Sequence, residues 1–247
     1  MLVAAAVCPH PPLLVPEVMG AAGLQPGGAM DAVRGACDAV VAGLADAGPD
    51  LIVVVGGADV SGVYDAASAG SLREYGVGYQ IGTGTPDLPL SLTLGAWLLA
   101  RAGLLGSVGP ATAPGQTRLP VRLQAVAQDA PVAECLRLGA ELAGSAPRVA
   151  MLVMGDASAR KAAGRPEAAD AAADRYDADV AAALAAADAA KLGRLEPSLD
   201  AELMVAGRAA WQVLAGAGGD GQYRGRLRYA AQPYAVGYLV ASWDAGA

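Results

Sequence analysis

Cys8 and His10 lie two residues apart where an apolar run gives way to prolines. Asp59 follows a second such run, and Asp156, Ser158 and Arg160 follow a third. Thiolate, imidazole and carboxylate are side chains that ligate transition metals, and imidazole and carboxylate are common proton-transfer groups. A guanidinium adds a forked donor for carboxylate or phosphate. If residues 8–10 stay extended, Cys8 and His10 project to one side, because strand side chains alternate with period two. His10 is the only histidine in the 247 residues, so one subunit cannot build a multi-histidine metal site or a histidine acid–base pair. Each residue also has a plainer reading: a packed histidine in a proline-fixed loop, capping aspartates, and an inert buried thiol.

Other motifs carry less chemistry. Arg160, Lys161 and Arg165 follow a strand end and could bind a carboxylate or phosphate, whereas the alternation Arg224, Arg226, Arg228 reads most simply as the solvated face of a strand. GVGYQIGTG at 76–84 does not match the dinucleotide fingerprint, and no phosphate-binding GxxxxGK[ST] or nucleophile-elbow GxSxG is present. Ser158 and Ser61 have no base other than His10, so a hydrolytic site lacks support.

The elements that must position these residues follow from periodicity. Residues 2–8 and 51–57 read as buried strands, and 148–156 repeats the pattern of 51–59. Met30, Val33, Cys37, Val40, Val41 and Leu44 recur at helical spacing between 29 and 47, and Gly48-Pro49 stops that helix. Residues 60–88 read as an irregular, pocket-forming stretch, 90–103 as a helix, 119–127 as a strand and 131–144 as a helix. A long Ala-rich helix is expected over 167–192, and one further helix from Pro197-Ser198 through Trp211 and Leu214. The tail reads as a closing hairpin around Gln232-Pro233. The alternation predicts one three-layer α/β/α domain with a central mixed sheet over 1–247.

Composition narrows the classes of function. The chain is 54% hydrophobic with a net charge of −7, which suits a folded protein and disfavours nucleic acid and anionic membrane surfaces as partners. No apolar run approaches the roughly 20 residues of a membrane span. The opening MLVAAAVC lacks a basic leader and a cleavage site, and Cys8, Cys37 and Cys135 have no framework spacing, so a cytoplasmic protein is expected. A small molecule or a protein is the expected partner.

AVCPHPPLLVPE at 6–17, LIVVVGGAD at 51–59, MGDASAR at 154–160 and PYAVGYLVASW at 233–243 together resemble the catalytic-subunit family of the class III, LigB-type extradiol ring-cleavage dioxygenases. The resemblance spans most of the chain in order, and its first segment is the distinctive one. Active members open catechol-type rings with O₂ at a nonhaem Fe(II) held by two histidines and a carboxylate, with a further histidine as acid–base catalyst. His10 matches the first ligand histidine. Gly57, Ala58 and Asp59 stand where the second is expected, Ala159 stands at the acid–base position, and no carboxylate occurs from Gln232 to Tyr238. The resemblance therefore implies a diverged member, without the usual ring cleavage or a bound cofactor, whose crevice at His10, Asp59, Asp156, Ser158 and Arg160 binds a small molecule or a protein. The alternative is an active enzyme holding Fe(II) or another divalent metal through His10 and Asp59, with Cys8 or Asp156 as a further ligand. A homo-oligomer or a partner subunit is compatible with either.

Overall fold

The computed structural model describes residues 1–24, 27–65, 68–105, 119–159 and 167–246. In chain order these form β1 (Leu2–Cys8), α1 (Ala29–Asp46), β2 (Leu51–Ala58), β3 (Gly62–Tyr64), β4 (Gly70–Ser71), β5 (Gln80–Ile81), α2 (Leu90–Arg101), β6 (Val121–Ala127), α3 (Val132–Ala143) and β7 (Val149–Met154). Then follow α4 (Glu167–Ala186), α5 (Ala189–Leu192), α6 (Pro197–Leu203), α7 (Arg208–Gly218), β8 (Tyr223–Ala231) and β9 (Tyr238–Ala245). Seven strands make one mixed sheet in the order β3-β6-β2-β7-β1-β9-β8. The strands β6, β2, β7 and β1 run parallel, and the flanking pairs β3–β6, β1–β9 and β9–β8 are antiparallel.

The central strands are apolar on both faces because a helical layer covers each face. Ala4, Ala6, Ile52, Val54, Ala150 and Leu152 pack with Val33, Val41 and Leu44 of α1 and with Leu94 and Leu98 of α2. Ala5, Val7, Val53, Val55, Met151 and Val153 pack with Leu142 of α3, Leu184 of α4 and Trp211 of α7. The result is an α/β/α sandwich with a mixed sheet. No helix among the described residues is long and apolar enough to cross a membrane.

Three expectations are corrected. The helix expected over 167–192 breaks at Ala187, whose φ of 52° is left-handed, and the Asp188 carboxylate then caps α5 by accepting the Lys191 amide at 2.9 Å. The helix expected from 197 through 214 is two, α6 and α7, parted at Met204 with φ 54°. Apolar periodicity carries no signal for a single left-handed residue, so both runs read as continuous. The stretch 60–88 is less irregular than expected: β3 extends the main sheet against β6, and β4 pairs with β5. A cavity of about 380 Å³ does lie there, against Ser71, Arg73, Asp87 and Thr93.

Helices α3 and α7 cross at glycines. A Cβ on Gly139 would overlap the Val213 carbonyl and the Ala217 amide, and one on Gly216 would overlap the Leu136 carbonyl. Alanine is worth up to about 1 kcal/mol over glycine in an exposed helix. Here backbone collision opposes that gain, and Gly139→Ala is expected to lose about 2–3 kcal/mol net, measured by urea unfolding. A stabilised variant would contradict this crossing.

Candidate functional site

Loops leaving β1 and β2 lead to the α1/α2 layer, whereas those leaving β6 and β7 lead to the opposite layer. Since β7 lies between β1 and β2, the loops diverge to opposite layers on both sides of its carboxyl end, the place where ligands collect in sheets of this kind. His10 follows β1, Asp59 follows β2, and Gly155–Ala159 follow β7.

The junction of β1 and β7 brings two of the candidates together. Gly155 N donates to the Cys8 carbonyl at 2.9 Å, and His10 N donates to Asp156 Oδ1 at 2.7 Å. His10 Nδ1 lies 3.8 Å from the same oxygen, beyond hydrogen-bond range, and is buried without a partner among the described residues. The histidine is 7% exposed. Pro9, Pro11 and Pro12 fix its loop, and buried Leu14 and Val15 anchor it. Trp211 Nε1, beside Gly155, is likewise buried and unpartnered among the described residues. Buried polar atoms without partners are rare in native folds, so two at one strand end mark a place to account for.

The antiparallel return of β9 closes the other side. Ala157 N donates to the Gly237 carbonyl at 2.9 Å, and Gly237 N donates to the Ser158 carbonyl at 2.8 Å. Tyr238 follows, 2% exposed, and burial first, then the charge of Asp156, holds its hydroxyl well above the ordinary tyrosine range. Tyr234 and Tyr229 act on it in the same direction. The turn into β9 carries two consecutive non-glycine residues in the left-handed region, Tyr234 at φ 59° and Ala235 at φ 62°. Backbone strain of this kind costs of order 1–3 kcal/mol per residue and gathers at binding sites.

Ser158 is at the strand end, but its amide and hydroxyl both donate to Asp177, each at 2.9 Å. Gln232 Nε2 donates to the same carboxylate at 2.9 Å and to Asp174 at 3.2 Å. The hydroxyl of Ser158 therefore holds the loop. Asp59 is exposed, and no hydrogen bond or ion pair among the described residues joins it to His10 or Asp156. Pro9 ends β1, the Cys8 side chain packs in the α1 layer beside Cys37, and burial foremost, with Cys37 adding to it, pushes its thiol pKa well up. A thiol of that kind is a poor ligand and a poor nucleophile. Arg160, Lys161 and Arg165 lie outside the described residues.

Beneath the loop sits an ion pair that no sequence motif marks. Arg208, 2% exposed, pairs through Nε with Asp200, and donates to the Ala130 carbonyl at 2.7 Å, Gln212 Oε1 at 3.0 Å and the Gln128 carbonyl at 2.6 Å. It ties the turn after β6 to α6 and α7. The segment between those helices supports β7's exit, since Ala206 N donates to the Asp156 carbonyl at 3.2 Å and Ala159 N to that of Leu203 at 3.1 Å.

No protein-family model and no curated protein matches this chain. Among solved structures it is similar to an uncharacterized protein, JW3007, from Escherichia coli K12, at 13% identity and a TM-score of 0.49, over 98% of this chain and 99% of that one.

Proposed function

We propose that this chain is a diverged relative of the class III extradiol dioxygenase catalytic subunits, one that has lost iron-dependent ring cleavage and keeps the crevice at His10, Asp156 and Tyr238 as a small-molecule binding site. The observation that carries the reading is the Nδ1 of a nearly buried His10, unpartnered among the described residues and held beside a carboxylate at the carboxyl end of the central strands. Around it the donors and acceptors are unbalanced. A carboxylate only accepts, a neutral imidazole offers one donor and one acceptor, and a tyrosine hydroxyl does both. Such a site favours a neutral or cationic molecule bearing hydroxyl or amine donors, and disfavours an anion placed against Asp156.

Fe(II) does not fit the described side chains. The family that the chain resembles uses two histidines and a carboxylate, whereas among the described residues no three His, Cys, Asp or Glu side chains are grouped to hold a metal. With Cys8 sealed against Cys37, His10 and Asp156 remain a pair, and affinity falls steeply with ligand number.

The test is calorimetric titration with phenols, diols, amines, aromatic acids and inorganic phosphate, on wild type and on His10→Ala. Hydroxyl- or amine-bearing compounds are expected to bind, and His10→Ala to weaken them by about tenfold or more while the variant still melts cooperatively. Equal affinity in His10→Ala, or indifference to every compound, would sink the proposal.

A further inference from the structure

We infer that a second site, at the opposite end of β1, binds an amphiphilic organic anion: an apolar aromatic or aliphatic body with a carboxylate, sulfonate or phosphate head. A groove of about 610 Å³ runs there between α1 and the β9–β8 hairpin. That volume lies within the roughly 300–1,000 Å³ typical of small-molecule sites. Its apolar wall comes from α1, through Ala39, Val40, Gly43 and Leu44, and its rim from β8, through Arg226 and Arg228.

The arginine stripe of β8 thus borders a groove, where alternation alone suggested open solvent. Arg224, Arg226 and their cross-strand partners Asp244 and Ser242 share the sheet face that meets α1, and a register shift between Leu227 and Tyr229 carries Arg228 out of the ladder. The groove's arginines are Arg148, Arg226 and Arg228, its carboxylates are Asp46 and Asp244, and the Met1 ammonium beside them is engaged by the Ala146 and Pro147 carbonyls. Arg148 is engaged, donating to the Ala47 and Gly48 carbonyls at the end of α1. Arg226 has only a loose, exposed pairing with Asp244 at 3.8 Å, and Arg228 has no hydrogen bond or ion pair among the described residues. Two exposed guanidinium forks at the rim of an apolar wall, in a chain of net charge −7, are placed for an anionic head whose body lies on α1.

Gly43 adds an independent observation. It stands inside α1, where glycine is the poorest helix former after proline, yet a Cβ there would meet nothing within 4 Å among the described residues. Packing within the chain does not require it, and its missing side chain widens the groove.

The probe is anilinonaphthalene sulfonate, followed by its fluorescence, with uncharged phenylnaphthylamine as its control. Wild type is expected to bind the sulfonate saturably, and Arg226→Gln/Arg228→Gln to weaken it by about tenfold, leaving the neutral dye unaffected. Gly43→Leu, which improves helix propensity, is expected to abolish binding of both dyes while keeping or raising the melting temperature. His10→Ala should leave binding of the sulfonate unchanged, which separates this site from the strand-end crevice. Absence of saturable binding, unchanged affinity in either groove variant, or a loss in His10→Ala would overturn the inference.

Discussion

Arg208→Ala is expected to lower stability by about 3–5 kcal/mol near neutral pH, the largest single loss among the charged side chains discussed. The guanidinium is almost fully buried, and its removal takes the charged donor from the Asp200 carboxylate and from the Gln128 and Ala130 carbonyls. At about 2–4 °C per kcal/mol for a chain of this size, the midpoint should fall by about 10 °C. The loss has a definite pH sign. Burial raises Asp200 above the ordinary aspartate value even with Arg208 opposing it. Without Arg208 the folded-state value rises further, so the variant's Asp200 contribution is fully present below the unfolded value and is lost as pH climbs through the raised one. The gap between wild type and variant should therefore be smaller near pH 4 than near pH 7. A gap that widened on acidification would contradict this assignment of the buried charge.

Asp177→Ala is expected to cost about 3 kcal/mol, and to weaken ligand binding at the His10 crevice as well. Both Ser158 donors end on this carboxylate, and Ser158 is 2% exposed, so neither can turn to water. Gln232 loses an acceptor too, and with it a tie between α4 and the turn before β9. Asp177→Asn keeps an acceptor and the shape, and should lose less. Urea unfolding of both variants beside calorimetry on the same preparations separates the effects. Full stability in Asp177→Ala would mean that the 155–159 loop holds its place by other contacts.

The central strands were legible because burial on both faces leaves long β-branched and apolar runs, as in 51–57, and α1 because its stripe is regular. That His10 and Asp156 end strands was legible for the same reason. Their meeting was not, since it depends on β7 inserting between β1 and β2, a pairing between distant segments that no local pattern encodes. Cys8 could be read as a ligand because nothing local marks that Cys37, from α1, packs against its thiol. Tyr238 was hidden within an apolar run. Asp177 was one of several aspartates in an Ala-rich helix, with nothing local to mark it as the acceptor for Ser158. Arg208 looks in sequence like any helical arginine; its burial is made by carbonyls that the turn after β6 delivers. The arginines of β8 were visible as an alternation, but the wall opposite them is α1, which arrives from another part of the chain.

A strand-end crevice that binds organic molecules without the iron site of the dioxygenases it resembles is tested most directly by metal loading. The protein is loaded anaerobically with Fe(II), desalted and analysed for metal, and O₂ and a catechol are then added. The expected result is iron far below one per chain, no dependence of that trace on His10, and no ring-opened product. Stoichiometric iron that disappears in His10→Ala, accompanied by oxygen-dependent formation of a yellow product, would contradict it.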